Sequence, residues 1–101
     1  MIISWNVRGL NKSGKLREIS SCLSNLKPDI MILLETRVKE TKASSTREKL
    51  NFHNIYIDNY QSNANGRIWV SWDDMKLTVQ KISNTDQFIH CGIYDNMGKF
   101  K

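Results

Sequence analysis

The first 34 residues most constrain the fold of this chain, because two apolar runs enclose a segment with helical periodicity. Residues 1–5 are apolar except for Ser4, which predicts a strand that ends at Asn6. Ile30–Leu34 is a continuous apolar run bounded by charged residues, and such a run is typical of a strand buried on both faces. The two runs therefore predict two strands of one sheet.

The segment between the two runs, residues 14–27, predicts an amphipathic helix. Its large aliphatic side chains recur at helical spacing on one face, at Leu16, Ile19, Leu23 and Leu26. Ser13 is a predicted N-cap. Pro28 predicts the end of the helix, because a proline disfavours helical geometry at the residue before it.

A strand, a helix and a strand in this order predict a βαβ unit with two parallel strands. Ligands of α/β proteins usually bind at the carboxyl ends of such strands. The first predicted strand ends at Asn6 and the second is followed by Glu35. We therefore expect an amide and a carboxylate at the same edge of the sheet.

Asn6 and Glu35 have a chemical and a structural interpretation. A carboxylate at the end of a buried strand is costly unless it is solvated, paired or bound to a metal. Mg²⁺ takes oxygen ligands, often one or two carboxylates completed by water and phosphate oxygens, and a neighbouring amide can orient the carboxylate or donate to a phosphate. In the structural alternative, Glu35 pairs with Arg37 or another cation and Asn6 caps a turn.

The rest of the chain predicts a short polar helix over residues 42–50 and then an antiparallel meander, which makes the fold class α+β. Strands are predicted at residues 54–59, 67–72, 77–82 and 87–94. Turns are predicted at Asn65-Gly66 and around Asn96 and Gly98, before a further strand-like segment at residues 99–101.

Trp5, Trp69 and Trp72 are expected in the core rather than as stacking platforms for bases. Trp69 and Trp72 lie three apart, so in a regular strand they face opposite ways. The basic residues between positions 37 and 49 predict either a surface that contacts a nucleic-acid backbone or a solvated helix face.

The bulk properties limit the functional classes. The 101 residues suit one domain or part of one, and the net charge of +5 favours a polyanionic partner, although many basic domains bind no nucleic acid. No apolar run approaches the roughly 20 residues that span a bilayer. Residues 1–10 lack the regions of a signal peptide, so we expect a nuclear or cytoplasmic protein that is not secreted and has no membrane partner. Cys22 and Cys91 form no CxxC pair and predict no zinc site.

Four segments carry a resemblance to a known family. Residues 4–10, SWNVRGL, resemble the opening motif of the endonuclease/exonuclease/phosphatase (DNase I-like) family, and KPDI at residues 27–30 running into LETR at residues 34–37 resembles its second motif. Residues 65–72 and 87–91 resemble the endonuclease domain that opens plant LINE-type (non-LTR) retrotransposon reverse transcriptase polyproteins. The resemblance covers essentially the whole chain. It implies the N-terminal half of a four-layer α/β sandwich, a partial domain over residues 1–101 that is truncated at its C-terminus.

The resemblance also implies a role for each matching residue. Asn6 would help hold the scissile phosphate and the metal shell, and Glu35 would be a direct ligand of Mg²⁺ or Mn²⁺. Arg8 and Arg37 would contact phosphate, with solvated charges beside strand ends as the equal alternative. The implied partner is DNA, and the implied reaction of the complete protein is metal-dependent nicking that leaves a 3′-hydroxyl for reverse transcription.

The catalytic residues of the later family motifs have no match in this chain. The complete domain carries an Asp–Asn pair in the middle and a terminal Asp–His pair, whose His is the general base. His90, in a predicted strand, and His53, in a predicted loop, do not occupy that position. We therefore expect a chain that is inactive alone. The open alternatives are a phosphatase or repair nuclease of the same family, a small basic nucleic-acid-binding module, and a gene remnant without catalysis.

Overall fold

Strands and helices alternate in the first half of the chain and strands dominate the second half. The computed structural model describes residues 1–10, 12, 14–53, 55–60, 68–85 and 88–95. Its elements are β1 (Ile2–Asn6), α1 (Lys15–Leu26), β2 (Ile30–Leu34), α2 (Glu40–Leu50), β3 (Tyr56–Asp58), β4 (Ile68–Trp72), β5 (Leu77–Asn84) and β6 (Ile89–Asp95). The predicted α+β class is confirmed.

A four-stranded sheet with the order β1-β2-β4-β3 forms the centre of the fold. β1 and β2 run parallel, with Ile2 opposite Ile30 and Asn6 opposite Leu34, so the predicted βαβ unit is confirmed. β4 pairs antiparallel with both β2 and β3. Because β2 has a neighbour on each side and layers above and below, all of its residues are buried or half-buried.

Helix α1 packs one face against this sheet through Ile19 and Leu23, which are 0% and 4% exposed, with Leu16 partly buried beside them. Leu26, the last residue of the helix, belongs to the same predicted face but is 47% exposed. The apolar periodicity in the sequence therefore identifies the buried face correctly except at its final position.

The ends of α1 follow backbone geometry. The helix begins after Gly14, which has a left-handed backbone, and no side chain caps it; Ser13, the predicted N-cap, lies outside the described residues. At the other end, the backbone N–H of Lys27 donates to the carbonyl of Leu23 at 2.9 Å. Lys27 is also left-handed, which ends many helices, and Pro28 then prevents continuation as predicted.

A first core lies between the two helices and the sheet, with Trp69 from β4 at its centre and fully buried. The indole Nε1 of Trp69 donates to the hydroxyl of Tyr60 at 3.1 Å, and that hydroxyl donates to the carbonyl of Val38 at 2.7 Å. These bonds satisfy the two polar groups that the aromatic side chains bring into the core.

Helix α2 is fixed to the sheet through Arg47. Its guanidinium carbon lies 4.3 Å from the centre of the Tyr56 ring and 4.7 Å from that of Trp69, and its Nη2 donates to Asp58 Oδ2 at 3.0 Å. Arg47 is therefore a packing residue, whereas Lys49 of the same last turn is exposed. The predicted polar helix is confirmed, and it begins two residues earlier than expected, at Glu40.

The other face of the sheet is covered in part by β5 and β6, which form a separate antiparallel pair. Trp72, Val70 and Val79 belong to this second core, so Trp69 and Trp72 do face opposite sides of β4, as predicted. The predicted antiparallel strands thus divide between two sheets. An apolar cavity of about 450 Å³ remains between the sheets, bordered by Ile2 and Phe88.

Several predictions concern residues at the margins of the elements. β3 is shorter than the predicted strand 54–59, because only residues 56–58 pair with β4. The predicted turns at Asn65-Gly66, Asn96 and Gly98 and the segment 99–101 lie outside the described residues. Cys22 and Cys91 are free, half-buried thiols. Within the described part of the chain, no helix is long and apolar enough to cross a membrane.

Candidate site at the ends of strands β1 and β2

The candidate site lies where the two parallel strands end side by side. Asn6 is the last residue of β1 and lies opposite Leu34, the last residue of β2, so Glu35 follows directly on the neighbouring strand. The pairing continues past the strand ends, because the N–H of Val7 donates to the carbonyl of Leu34 at 3.0 Å. The structure thus brings Asn6 and Glu35 to the same end of the sheet.

Residues 7–10 and 35–38, which we call the strand-end loops, remain connected by backbone hydrogen bonds. The N–H of Gly9 donates to the carbonyl of Glu35 at 2.8 Å, and the N–H of Leu10 donates to that of Thr36 at 2.8 Å. Each loop directs some residues into the core and others towards solvent. The buried side chains are Val7, Leu10, Thr36 and Val38, each no more than 1% exposed.

The remaining side chains of this region, which do not enter the core, are the ones that the sequence predicts for the site. Asn6, Arg8 and Arg37 are exposed, and Glu35 is half-buried. Because the intervening residues are locked in the core and the backbones are bonded to each other, the outward side chains start from a fixed frame. The four predicted residues therefore share one surface region.

The backbone of the strand-end loops is strained at three of these positions. Among the described residues, five non-glycine residues have a positive φ, and Lys27 and Asn51 are two of them at helix C-caps, where a left-handed residue is ordinary. The other three are Arg8 at 49°, Glu35 at 55° and Arg37 at 55°. Such residues cost on the order of 1 kcal/mol each and cluster at functional sites. No sequence pattern predicted them.

Among the described residues, Glu35 has only a loose ionic contact. Its Oε2 lies 4.0 Å from Nη2 of Arg37, with the two side chains 36% and 60% exposed. That distance is too long for a hydrogen bond, and an exposed pair of this kind contributes little to stability. The structural interpretation of Glu35 as the partner of Arg37 therefore accounts for only a weak contact and leaves its oxygens accessible to a ligand.

Lys12 is a residue of this region that the sequence reasoning missed. A Cβ built on Gly9, whose φ is 100°, would lie 3.5 Å from Cε of Lys12 and 3.8 Å from Cδ of Arg37. Both cationic side chains therefore pass over the same backbone position. A loop without periodicity carries no signal for this arrangement, because it depends on a contact between two loops.

The two histidines and Asp29, a carboxylate next to β2, lie outside the strand-end loops. His90 is an exposed residue of β6, as predicted for a strand histidine, and the ring of His53 packs against Phe52 with centroids 4.3 Å apart. Asp29 precedes β2, at the opposite end of that strand from Glu35, where its Oδ2 accepts from the amino group of Met1 at 2.6 Å. None of the three belongs to the strand-end loops.

The donor set fits a cation bound by few protein ligands. The described residues hold no group of three or more His, Cys, Asp or Glu side chains placed to share a metal ion. Glu35 offers one accessible carboxylate beside the amide of Asn6, and Mg²⁺ is commonly held by one or two carboxylates with water and substrate phosphates as the remaining ligands. The residues present therefore suit a hard divalent cation shared with a phosphate.

Comparison with solved structures identifies the fold. An AP endonuclease from Archaeoglobus fulgidus is similar with a TM-score of 0.59 and 21% identity, over 93% of this chain and 38% of that chain. A truncated TDP2 from Caenorhabditis elegans is similar with a TM-score of 0.51 and 21% identity, over 96% of this chain and 41% of that chain. No family model and no curated protein matches the sequence.

Both similar structures have the DNase I-like endonuclease/exonuclease/phosphatase fold, so the fold expected from the two opening motifs is confirmed. The chain spans about two fifths of the length of each. At this level of identity the likeness concerns the fold, and the chemistry of this chain has to be argued from its own residues.

Proposed function

We propose that this chain carries one half of the catalytic site of a Mg²⁺- or Mn²⁺-dependent DNA endonuclease, and that it is inactive alone. The observation that carries the proposal is the placement of Asn6 and Glu35 at the ends of two parallel strands, on loops bonded to each other through their backbones. The motif-like segments at residues 65–72 and 87–91 favour the endonuclease domain of a plant LINE-type retrotransposon over a repair nuclease or a phosphatase.

Glu35 is the metal ligand in this proposal. Its carboxylate is accessible, and within the part of the chain that the structure describes nothing holds it more strongly than the 4.0 Å contact with Arg37. A bound Mg²⁺ would supply Lewis-acid stabilisation of the charge that develops on a phosphodiester. The left-handed backbone at Glu35 fixes the direction in which the carboxylate leaves the sheet, so that its position does not depend on flexible side-chain torsions alone.

Asn6, Arg8 and Arg37 bind the substrate in this proposal. The amide of Asn6 donates a hydrogen bond to a non-bridging phosphate oxygen without adding charge beside Glu35. Arg8 and Arg37 are exposed in the two strand-end loops and would neutralise phosphates of the DNA backbone. The basic excess of the chain, 15 Lys and Arg against 10 Asp and Glu, supports such binding.

Proton transfer is the step for which this region has no group. Hydrolysis requires an aligned water and an acceptor for its proton, usually a histidine or carboxylate within hydrogen-bond reach. Neither His53 nor His90 belongs to the strand-end loops, and Glu35 is already assigned to the metal. The base and its orienting carboxylate would come from a segment of the DNase I-like domain beyond residue 101.

We therefore expect that the purified 101-residue chain does not nick supercoiled plasmid in Mg²⁺ above background. The assay compares the wild type with Glu35→Ala, with and without chelator. Nicking abolished both by chelator and by the substitution would show that the chain is catalytic alone and would overturn the proposed inactivity. Nicking that survives the substitution would identify a contaminant.

The metal part of the proposal has a separate readout. Titration calorimetry with Mg²⁺ and Mn²⁺ should give weak binding, in the millimolar range expected when one protein carboxylate is the main ligand. Glu35→Ala should remove it, and Asp74→Ala, an exposed carboxylate in the β4–β5 turn, should leave it unchanged. Micromolar binding that survives Glu35→Ala would show that the ligand is wrongly assigned.

A binding module without catalysis is the second candidate, and the net charge of +5 favours it. The two candidates differ in what Glu35 does to DNA affinity. In a charge-driven module Mg²⁺ only weakens binding by competing for phosphates, whereas in the nuclease half-site Mg²⁺ or Mn²⁺ strengthens binding at fixed ionic strength through Glu35. Sequencing of the gene beyond the codon for Lys101 tests the assignment to a nuclease domain, because the nuclease proposal requires the Asp–Asn and Asp–His motifs there.

A further inference from the structure

Lys12 and Arg37 converge on Gly9 at the rim of the candidate site. Cε of Lys12 and Cδ of Arg37 would both lie within 4 Å of a Cβ at Gly9, so both side chains pass beside the same backbone position. Gly9 is itself buried and both cationic residues are exposed. A Cβ at position 9 would make ordinary van der Waals contact with both side chains, but the φ of 100° disfavours any residue with a Cβ.

The described residues balance the charges at this point only in part. Within the described residues, Lys12 forms no ion pair, and Arg37 has only the 4.0 Å contact with Glu35. Two cations directed over one glycine repel each other unless an anion lies between them. The backbone holds this arrangement in place, because Arg37 has a φ of 55° and the N–H of Gly9 is bonded to the carbonyl of Glu35.

We propose that Lys12 and Arg37 form an anion site above Gly9 that takes one phosphate of a nucleic-acid backbone. The proposal rests on the proposed function for its ligand, since it places this phosphate next to the one held by Asn6. Arg37 offers a planar fork that binds phosphate in a defined orientation, and Lys12 adds a mobile point charge on the opposite side. The pair fixes how the DNA strand enters the site.

The test is an equilibrium titration of a fluorescently labelled duplex, followed by anisotropy in EDTA at several salt concentrations. Because the two cations share one phosphate, the double variant Lys12→Gln with Arg37→Gln should reduce the magnitude of the slope of log K against log salt by about 0.9, the value for one lost phosphate contact, and each single variant should reduce it by part of that amount. Lys27→Gln is the matched control, because Lys27 is equally exposed but precedes β2 at the far end of the sheet. Its slope should equal that of the wild type.

Three results would overturn the anion site. The first is a Lys12→Gln slope equal to that of the wild type. The second is a Lys27→Gln slope reduced as much as that of Lys12→Gln, because binding would then be diffuse. The third is saturation by inorganic phosphate below millimolar concentration, seen as shifts of the Gly9 amide resonance, because the ligand would then be a small phosphate and not a DNA backbone.

The absence of metal from this titration separates the anion site from the proposed nuclease function. If Lys12→Gln lowers the slope while Mg²⁺ binding is independent of Glu35, the anion site stands and the nuclease half-site fails. If Glu35→Ala abolishes Mg²⁺ binding while Lys12→Gln leaves the slope unchanged, the reverse holds. Glu35→Gln in EDTA should raise DNA affinity, because it removes a negative charge beside Arg37.

Discussion

Arg8 illustrates what a single residue contributes to the shape of the strand-end loops. Its φ of 49° is a conformation that residues with a Cβ adopt at a cost, whereas glycine adopts it readily. The neighbouring Gly9 and the bond from the N–H of Gly9 to Glu35 hold the loop in this conformation. The strain at Arg8 should therefore be measurable as a difference between two small replacements.

The first prediction is that Arg8→Gly is more stable than Arg8→Ala by about 1 kcal/mol, because only the alanine retains the unfavourable left-handed backbone. Chemical denaturation of both variants measures the difference. Ser44, an exposed residue in the interior of α2, provides the control, since Ser44→Gly should be less stable than Ser44→Ala by a similar amount. Equal stability of the two Arg8 variants would show that the loop is not strained there.

The second prediction concerns Arg47, which connects α2 to the sheet. Arg47→Met should lower the free energy of unfolding by about 1–3 kcal/mol, because it removes a charged hydrogen bond to Asp58 and the contact with two aromatic rings. The free energy of unfolding of Arg47→Lys should lie between those of the wild type and Arg47→Met, because an ammonium cannot stack on both rings. Lys49→Met, an exposed position in the same turn, should change stability by less than about 0.5 kcal/mol.

The third prediction concerns Tyr56, whose burial raises the pKa of its hydroxyl to about 12 against the opposing effect of the Arg47 charge. A pKa that is raised in the folded state stabilises the fold fully below the ordinary value of 10.0 and loses that contribution as the pH rises towards 12. Stability should therefore fall over this alkaline range, and Tyr56→Phe should reduce the fall. Ultraviolet titration of tyrosinate follows the ionisation, and a wild-type Tyr56 that ionises near pH 10 would contradict the prediction.

At the scale of elements, the sequence predicted the individual helices and strands better than it predicted which strands pair with each other. The βαβ unit follows from two apolar runs, a helical period and Pro28, all of which act over short distances along the chain. The insertion of β4 between β2 and β3 was not predicted, because periodicity identifies a strand but not its neighbour. The opposite faces of Trp69 and Trp72 were predictable, since side-chain alternation is local.

The same distinction applies to the candidate site. Asn6 and Glu35 could be placed at one end of the sheet from topology alone, because parallel strands end on the same side. The position of Lys12 depends on how the chain folds back beside Gly9, and the left-handed backbone of Glu35 accompanies the hydrogen bonds between the two strand-end loops. No pattern in the sequence predicts either of these features.

The fourth prediction concerns Asp29, which lies where β1, β2 and the β4–β5 turn meet. The amino group of Met1 and then Lys76, through hydrogen bonds to Asp29, lower the pKa of its carboxyl. A lowered pKa in the folded state gives stability that is present above the ordinary value of 3.8 and is lost as the pH falls through the folded-state pKa. Asp29→Asn should therefore lower the Tm at neutral pH, and the difference from the wild type should shrink in acid.

The control for this prediction is Asp74→Asn, an exposed aspartate in the turn that carries Lys76. It should leave the Tm unchanged at both pH values. A Tm difference for Asp29→Asn that persists below pH 3 would mean that the amide disturbs packing rather than the ionic contacts.

At the scale of the whole molecule, the two sheets meet incompletely. β5 and β6 cover only part of the inner face, and the apolar cavity of about 450 Å³ opens near Ile2 and Phe88, which are 58% and 52% exposed. β1 is an edge strand of the larger sheet, so one side of its backbone is available for pairing. Apolar surface of this kind beside an open strand edge promotes association.

The fifth prediction is that the isolated chain binds the dye ANS and associates as its concentration rises, with a low Tm. Replacing Ile2 and Phe88 together, as Ile2→Thr with Phe88→Ser, should reduce dye binding and association measured by sedimentation velocity. Leu26→Ser is the control, because Leu26 is 47% exposed on α1, outside the lining of the cavity. A monomer that ignores the dye and unfolds cooperatively at high temperature would contradict the prediction.

The connection between the strand-end loops has a consequence for how such a sequence can change over time. The three bonds that hold the loops together, from Val7, Gly9 and Leu10, use only main-chain atoms. In the proposed function, substitutions at Asn6, Arg8, Glu35 and Arg37 would therefore remove ligands of the metal and the phosphate without removing any of these three bonds. Replacements at Arg8, Glu35 and Arg37 still have to tolerate a positive φ, so glycine is the residue that this frame accepts there at the lowest cost.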